Sequence, residues 1–197
     1  MSRWIEPVTL TGKHVVLEPL ALEHDAALAK AAADGELWKL WYTSVPAPEQ
    51  TRAYVETALA MREDTGAMPF VVRDAKSGEI VGCTRFFNVE AAHRRLEIGY
   101  TWYAQRVQRT ALNTEAKLLL LGHAFEALKA IAVEFRTHFM NHPSRAAIAR
   151  LGAKQDGILR SHQIGRDGAV RDTVVFSIIE TEWPAVRAHL RFKLERS

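Results

Sequence analysis

Residues 96–138 constrain this chain more than any other stretch. Leu96-Glu97-Ile98-Gly99-Tyr100-Thr101-Trp102 reads as a strand and Gln108-Arg109-Thr110-Ala111-Leu112-Asn113 as a polar turn. Residues 114–128 then read as a long helix and residues 132–138 as an alternating strand. A helix between two strands is a crossover, which commits the chain to a sheet with helices laid on it. The turn carries a second consequence. A strand that ends in a polar turn and feeds straight into a helix aims the helix's unpaired N–H groups, and the positive end of its dipole, at one point in space. A pyrophosphate fits such a point. Arg109 and the side-chain donors of Asn113 and Thr114 can add hydrogen bonds to it, while Thr110 or Asn113 can equally serve only to cap the helix.

The remaining elements fit the same class. Residues 13–19 read as a first strand, 22–33 as an alanine-rich helix and 36–42 as a short helical turn, on which Trp38 and Trp41 share a face. Ala47-Pro48-Glu49 opens a helix reaching about residue 62. Residues 69–73 and 79–87 form a hairpin through Lys76-Ser77-Gly78, and the next strand occupies residues 93–103. After the crossover come a short helix over 144–151, stopped by Gly152, and strands over 154–162 and 171–179 linked through Arg166-Asp167-Gly168-Ala169. A closing helix is opened by Glu182-Trp183-Pro184. Hairpins mixed with helical crossovers predict an α+β fold. With 197 residues, 48% of them hydrophobic, and no repeat or linker, one domain spanning 1–197 is expected.

Composition excludes several functions. A net charge of +3 spread over 26 basic and 23 acidic side chains gives no basic tail for nucleic acid. Met1-Ser2-Arg3-Trp4-Ile5-Glu6-Pro7 has no apolar run suited to a signal peptide, and no uncharged stretch approaches membrane-spanning length, so a cytoplasmic protein without membrane contact is expected. The lone Cys83, within an apolar run, rules out an internal disulfide and reads as packing. His138 and His142 are four apart but straddle a strand end, so no metal is expected, and no nucleophile elbow supports hydrolase chemistry.

Four motifs stand in order: Glu97-Ile98-Gly99-Tyr100 with Trp102, the turn from Gln108 to Asn113, Thr114-Glu115-Ala116-Lys117, and Asn141-His142-Pro143-Ser144 followed by Leu151-Gly152-Ala153. Together they resemble the GNAT acetyltransferases, and within them the branch of ribosomal-protein and other N-terminal acetyltransferases. The resemblance covers nearly the whole chain. It implies a GNAT-like mixed, mostly antiparallel central sheet flanked by helices on both faces, with acetyl-CoA as acetyl donor. In the family turn, a Gln or Arg is followed by glycine or a small residue where the backbone approaches the phosphates. Here Gln108 matches, Ala111 replaces the glycine and Asn113 the last small residue. The resemblance thus assigns Trp102, Tyr103, Gln108, Arg109, Thr110, Ala111, Leu112, Asn113, Thr114, Asn141 and Ser144 to the acetyl donor.

It also implies the chemistry: direct transfer to a primary amine in a ternary complex, a protein N-terminus before a small amine. An α-amino group, pKa about 8, is partly neutral near pH 7, whereas a lysine, about 10.4, needs a base far more. Glu97, on the strand leading into the turn, is the candidate base, directly or through water, with an ion pair to Arg94 or Arg95 as the bland alternative. Ser144 falls where that branch places a hydroxyl near the leaving sulfur, and it is also a candidate helix cap. Asn141 would orient the pantetheine amides or only satisfy loop backbone. Backbone N–H groups near residues 101–103 would stabilise the oxyanion. Trp38, Trp41 and Tyr42 fall where the family shapes its acceptor pocket, with core packing as the alternative. The hairpin arginines near 160–171 could attract an acidic acceptor. A homodimer through the later strands or closing helix is compatible with this reading, as is a CoA-binding module with little transferase activity.

Overall fold

The structure is a computed structural model that describes residues 3–165 and 168–196. Its sheet contains β1 (Leu10–Thr11), β2 (Val15–Pro19), β3 (Met68–Asp74), β4 (Ile80–Glu90), β5 (Arg95–Tyr103), β6 (Ala132–His138), β7 (Lys154–Ile164) and β8 (Val170–Ile179), in the spatial order β1-β2-β3-β4-β5-β6-β8-β7. Only the β5–β6 pairing is parallel, and it is made by the expected helical crossover. The helices are α1 (Asp25–Ala33), α2 (Thr51–Thr65), α3 (Ala111–Gly122), α4 (His142–Ala149) and α5 (Trp183–Glu195).

Alternation along β4 shows that the helices cover both faces. Arg85 points to α2, where its guanidinium meets Met61 Sδ at 2.9 Å and lies over the Tyr54 ring. Its neighbour Phe86 points the other way and stacks on His123, just past α3. The apolar layers are closed by residues with no solvent exposure, among them Leu28, Val55, Phe70, Phe86, Leu120, Ala124, Val133 and Leu190. The expected α+β class, with a mostly antiparallel sheet, is therefore the observed one.

Several local expectations need correction. The crossover helix begins at Ala111, three residues earlier than its periodicity suggested. Thr110 caps it by accepting the Leu112 N–H, and after Gly122 it widens into a π turn over His123–Ala127. Residues 111–113 are thus helix, not turn. Helical structure in the 36–42 segment is confined to Leu37–Lys39. Leu40 is extended, so Trp38 and Trp41 do not share a helix face. The short strand β1 gave no sequence signal, and Arg166 and Asp167 of the last hairpin lie outside the described residues.

One buried carboxylate fixes α3 in place. Glu115 accepts the backbone N–H groups of Lys13 (2.9 Å), His14 (2.6 Å) and Val15 (3.1 Å). These donors run from the β1–β2 connection into the first residue of β2, and a Cβ added at Gly12 in that connection would meet the Glu115 carboxyl at 2.5 Å. A charged acceptor holding three amides at once is a strong clamp, and it sets the position of the α3 N-terminus against the sheet.

Candidate active site

β5 and β6 pair over only three positions, Arg95 with Ala132, Leu96 with Val133 and Glu97 with Glu134. Beyond them β5 runs on to Tyr103 and β6 to His138 without pairing, so the two strands splay apart. The divergence starts beside a bulge. Cys83 pairs with Trp102 but Arg85 with Gly99, so Tyr100 and Thr101 oppose Thr84 alone, and Tyr100 takes a left-handed φ of 49°. The β6-facing edge of residues 98–103 is left with backbone groups that seek another partner.

A cavity of about 540 Å³ fills the gap. Residues 98–103 form one wall and residues 135–138 the other. Gln108, Arg109, Asn113 and Lys117 reach it from α3 and its approach, and Asn141, Ser144 and Ile148 from α4. Trp102 and Tyr103 are in its lining. Thr110, Ala111, Leu112 and Thr114 are not among its lining residues: Thr110 is spent on the cap and Leu112 is core. The Gln108 side chain donates to the Tyr103 carbonyl at 2.9 Å, closing the strand end onto the turn. The left-handed residue of the turn is Arg109, φ 61°, not the residue at the Ala111 position, which is helical and needs no glycine.

Two features suit this end of the cavity to an anion with amide or hydroxyl groups behind it. The N–H groups of Ala111 and Asn113, in the first turn of α3, have no carbonyl within the helix to bond. The Asn113 side-chain oxygen is buried without a hydrogen-bond partner, a condition that proteins rarely leave unmet. One turn further on, the Lys117 ammonium is buried, donates to Thr101 Oγ1 at 2.9 Å, and is pushed down by that burial to about 7. Sequence reading missed it, because a lysine in a helix ordinarily faces solvent.

On α4 the cap is Asn141, whose Oδ1 accepts the Ser144 N–H at 3.1 Å. The Ser144 hydroxyl is therefore not used as the cap, and both residues line the cavity.

Glu97 sits at the closed end of the splay, 3% exposed. Its carboxylate accepts from the Asn88 amide at 2.8 Å and lies 3.5 Å from Arg136. Burial pushes its pKa up to about 7, the Asn88 hydrogen bond and the Arg136 charge pull it back, and neighbouring Glu134 adds to the rise. Its charged partner is Arg136 from β6. Of the sequence neighbours, Arg95 pairs instead with Glu134, which also holds Arg136 at 2.8 Å. Glu97 is not among the lining residues, whereas Arg136 is.

A second cavity of about 460 Å³ adjoins the first. Tyr42, Thr43, Ser44, His138 and Arg171 belong to both linings. Trp41, 64% exposed, stands edge-on to His138 at 4.9 Å and to Tyr42 at 5.5 Å. His138 Nδ1 accepts the Met140 N–H at 3.0 Å, which fixes its ring. Trp38 lines neither cavity. Cys83 is buried against Tyr54, its thiol pushed up to about 11, which agrees with a packing role. Among the described residues no group of three or more His, Cys, Asp or Glu is placed to hold a metal, and no helix is long and apolar enough to cross a membrane.

Residues 14–154 match the family model described as Acetyltransferase (GNAT) domain. YdaF of Bacillus subtilis (strain 168), named as a candidate ribosomal N-acetyltransferase, is 30% identical over 106 residues, 54% of this chain and 57% of that relative's length. The chain thus spans somewhat over half of that relative. A candidate acetyltransferase of T. thermophilus superposes with a TM-score of 0.84 at 37% identity, covering 97% of this chain and 99% of that one. Mycobacterium smegmatis RimJ, solved in complex with CoA-disulfide, gives a TM-score of 0.79 at 25% identity over 96% of each chain.

Proposed function

This chain belongs to the GNAT acetyltransferase family, and from that membership we propose that it transfers acetyl from acetyl-CoA to a primary amine, by direct attack in a ternary complex. The observation that carries the proposal is the splay of β5 from β6 beside the N-terminus of α3, with the Asn113 amide oxygen buried and unpartnered in the lining. The RimJ neighbour, solved with a CoA-disulfide, supports acetyl-CoA as donor.

The residues present fit acetyl-CoA. The first-turn N–H groups of α3 and Arg109 hold the pyrophosphate, where dipole and charge act together. The unpaired edge of residues 98–103, Asn113 and the Asn141 amide take the pantetheine amides as an added strand would. The β5 edge at residues 101–103 presents backbone donors to the tetrahedral oxyanion. The Ser144 hydroxyl, released from capping, donates to the departing thiolate. Glu97, with a pKa near 7, accepts the amine proton through ordered water, since it stands behind the cavity wall. The second cavity, with Trp41 and Tyr42 at its mouth, takes the acceptor. A protein N-terminus is the favoured amine, because its low pKa suits a weak, indirect base and because YdaF carries the name of a ribosomal N-acetyltransferase.

Release of free thiol from acetyl-CoA, followed over a panel of N-terminal peptides and small amines, tests the proposal. Acceptor-dependent release well above hydrolysis is expected. Binding of acetyl-CoA with no release for any amine would reduce the protein to a CoA-binding module.

A further inference from the structure

Arg171, near the start of β8, is one of five residues common to the linings of both cavities. Its Nε is buried and, among the described residues, has no hydrogen-bond partner. Of the other arginines buried or partly buried in the sheet, Arg73 pairs with Glu18, Arg95 with Glu134, and Arg136 with Glu134 and Glu97. Arg85, whose Nε is likewise buried without a partner, is packed against Met61 Sδ and the rings of Tyr54 and Tyr100. The carboxylate next in sequence is already engaged, since Asp172 holds Arg160 at 2.6 Å and accepts the Ser161 N–H at 2.8 Å. Among the described residues Asp172 is also the one acidic side chain in either lining. Burial lowers the Arg171 pKa, and among the described residues no carboxylate opposes that shift. A half-buried guanidinium left in this condition is costly, and a fork of N–H donors matches a carboxylate better than any other common ligand group.

The place of Arg171 selects between the two substrates. Arg109 and Asn113 of the first turn of α3, which suit the phosphate end of the donor, line the first cavity alone, whereas Arg171 also reaches the second, beside Trp41, Tyr42 and His138. We infer that Arg171 is a specificity-determining residue that binds a carboxylate carried by the acceptor, so that the substrate is an amine bearing an acidic group, with its apolar part against Trp41, Ile164 and Val170. The inference rests on the acetyltransferase reading, and it adds the chemical class of the acceptor. The shared chemistry is the carboxylate, which two sources supply: the α-carboxylate of a free amino acid, or an Asp or Glu side chain close behind a peptide N-terminus.

Matched pairs distinguish them. Free amino acids are compared with their α-amides, and peptides with Asp or Glu in second place with the Asn or Gln versions, in turnover by wild type, Arg171→Gln and Arg171→Lys. In parallel, binding of the corresponding N-acetyl products to the CoA-loaded protein is measured by calorimetry, which needs no turnover. The expected result is a preference of about tenfold to hundredfold for the acid in one pair, from one charge-assisted hydrogen-bonded contact. Arg171→Gln abolishes the preference, mainly by raising KM for the acid member of the pair, while Arg171→Lys retains part of it. Equal treatment of acid and amide by wild type in turnover and binding, absence of binding by either, or a preference that survives Arg171→Gln overturns the inference. An acid preference in binding without any acetyl transfer upholds the carboxylate site while refuting the transferase reading.

Discussion

Replacing Glu97 with glutamine tests the electrostatics at the closed end of the splay. Burial holds the Glu97 carboxyl near pKa 7 in the folded protein, against a reference of 4.5. The charged neighbours that face it are Arg136 and Glu134 of β6, with Arg95 bound to Glu134. Between pH 4.5 and 7 the folded state therefore keeps a proton that the unfolded state releases, so folding stability contributed by this group falls as pH rises through that window. The gap between the two values corresponds to about 3 kcal/mol, all of it lost by pH 8. Urea unfolding of wild type and Glu97→Gln from pH 4.5 to 8.5 isolates the effect, because the other titrating groups are common to both. The variant should gain on wild type by about 3 kcal/mol between the ends of the range. A difference that stays flat, or that grows in favour of wild type above pH 7, would refute the burial argument. The same titration governs catalysis: kcat/KM of wild type should rise through an apparent pKa near 7, and the glutamine variant should lose that step while keeping the later rise from the amine itself.

Lys117 behaves in the opposite sense. Its pKa falls from 10.5 to about 7 on folding, so the unfolded chain binds the extra proton between those values, and wild-type stability relative to Lys117→Met should rise by up to about 4 kcal/mol from pH 7 to 10 in denaturant titrations. Arg109→Gly should separate fold from function: removing a side chain at φ 61° should raise stability by about 1 kcal/mol, while calorimetry should show acetyl-CoA affinity falling about tenfold with the loss of the cation. Glu115→Ala leaves three N–H groups without their acceptor and should cost about 3 kcal/mol by urea unfolding, with acetyl-CoA binding weakened as the α3 N-terminus loosens.

What the sequence made legible was local. The glycine-marked hairpin at Lys76-Ser77-Gly78 and the alternating strands follow from turn chemistry and side-chain periodicity, and these sufficed for the α+β class. The start of α3 lies three residues before the expected Thr114 because Ala111, Leu112 and Asn113 suit a turn and a first helical turn alike; the cap bond from Leu112 N–H to Thr110 separates the two. Illegible features depend on partners far along the chain. That Glu97 meets Arg136 rather than Arg95 is set by the register of the crossover, and that Glu115 clamps residues 13–15 is set by α3 packing on β2. Ser144 and Asn141 both suit a cap, and the bond at 3.1 Å gives the role to Asn141. No periodicity announces that β5 and β6 part after three residue pairs, although that parting creates the cavity.

The most direct test of the cavity between β5 and β6 as an acetyl-CoA site is a thermal melt of the full chain over an acetyl-CoA titration, compared with Asn113→Leu. A ligand bound only by the folded state should raise wild-type stability by about 2.7 kcal/mol at a hundred times its dissociation constant. The leucine variant, which blocks the lining where the buried amide oxygen now lacks a partner, should need far more ligand for the same shift. A wild-type melt unmoved at millimolar acetyl-CoA, or an equal shift in both proteins, would contradict the assignment.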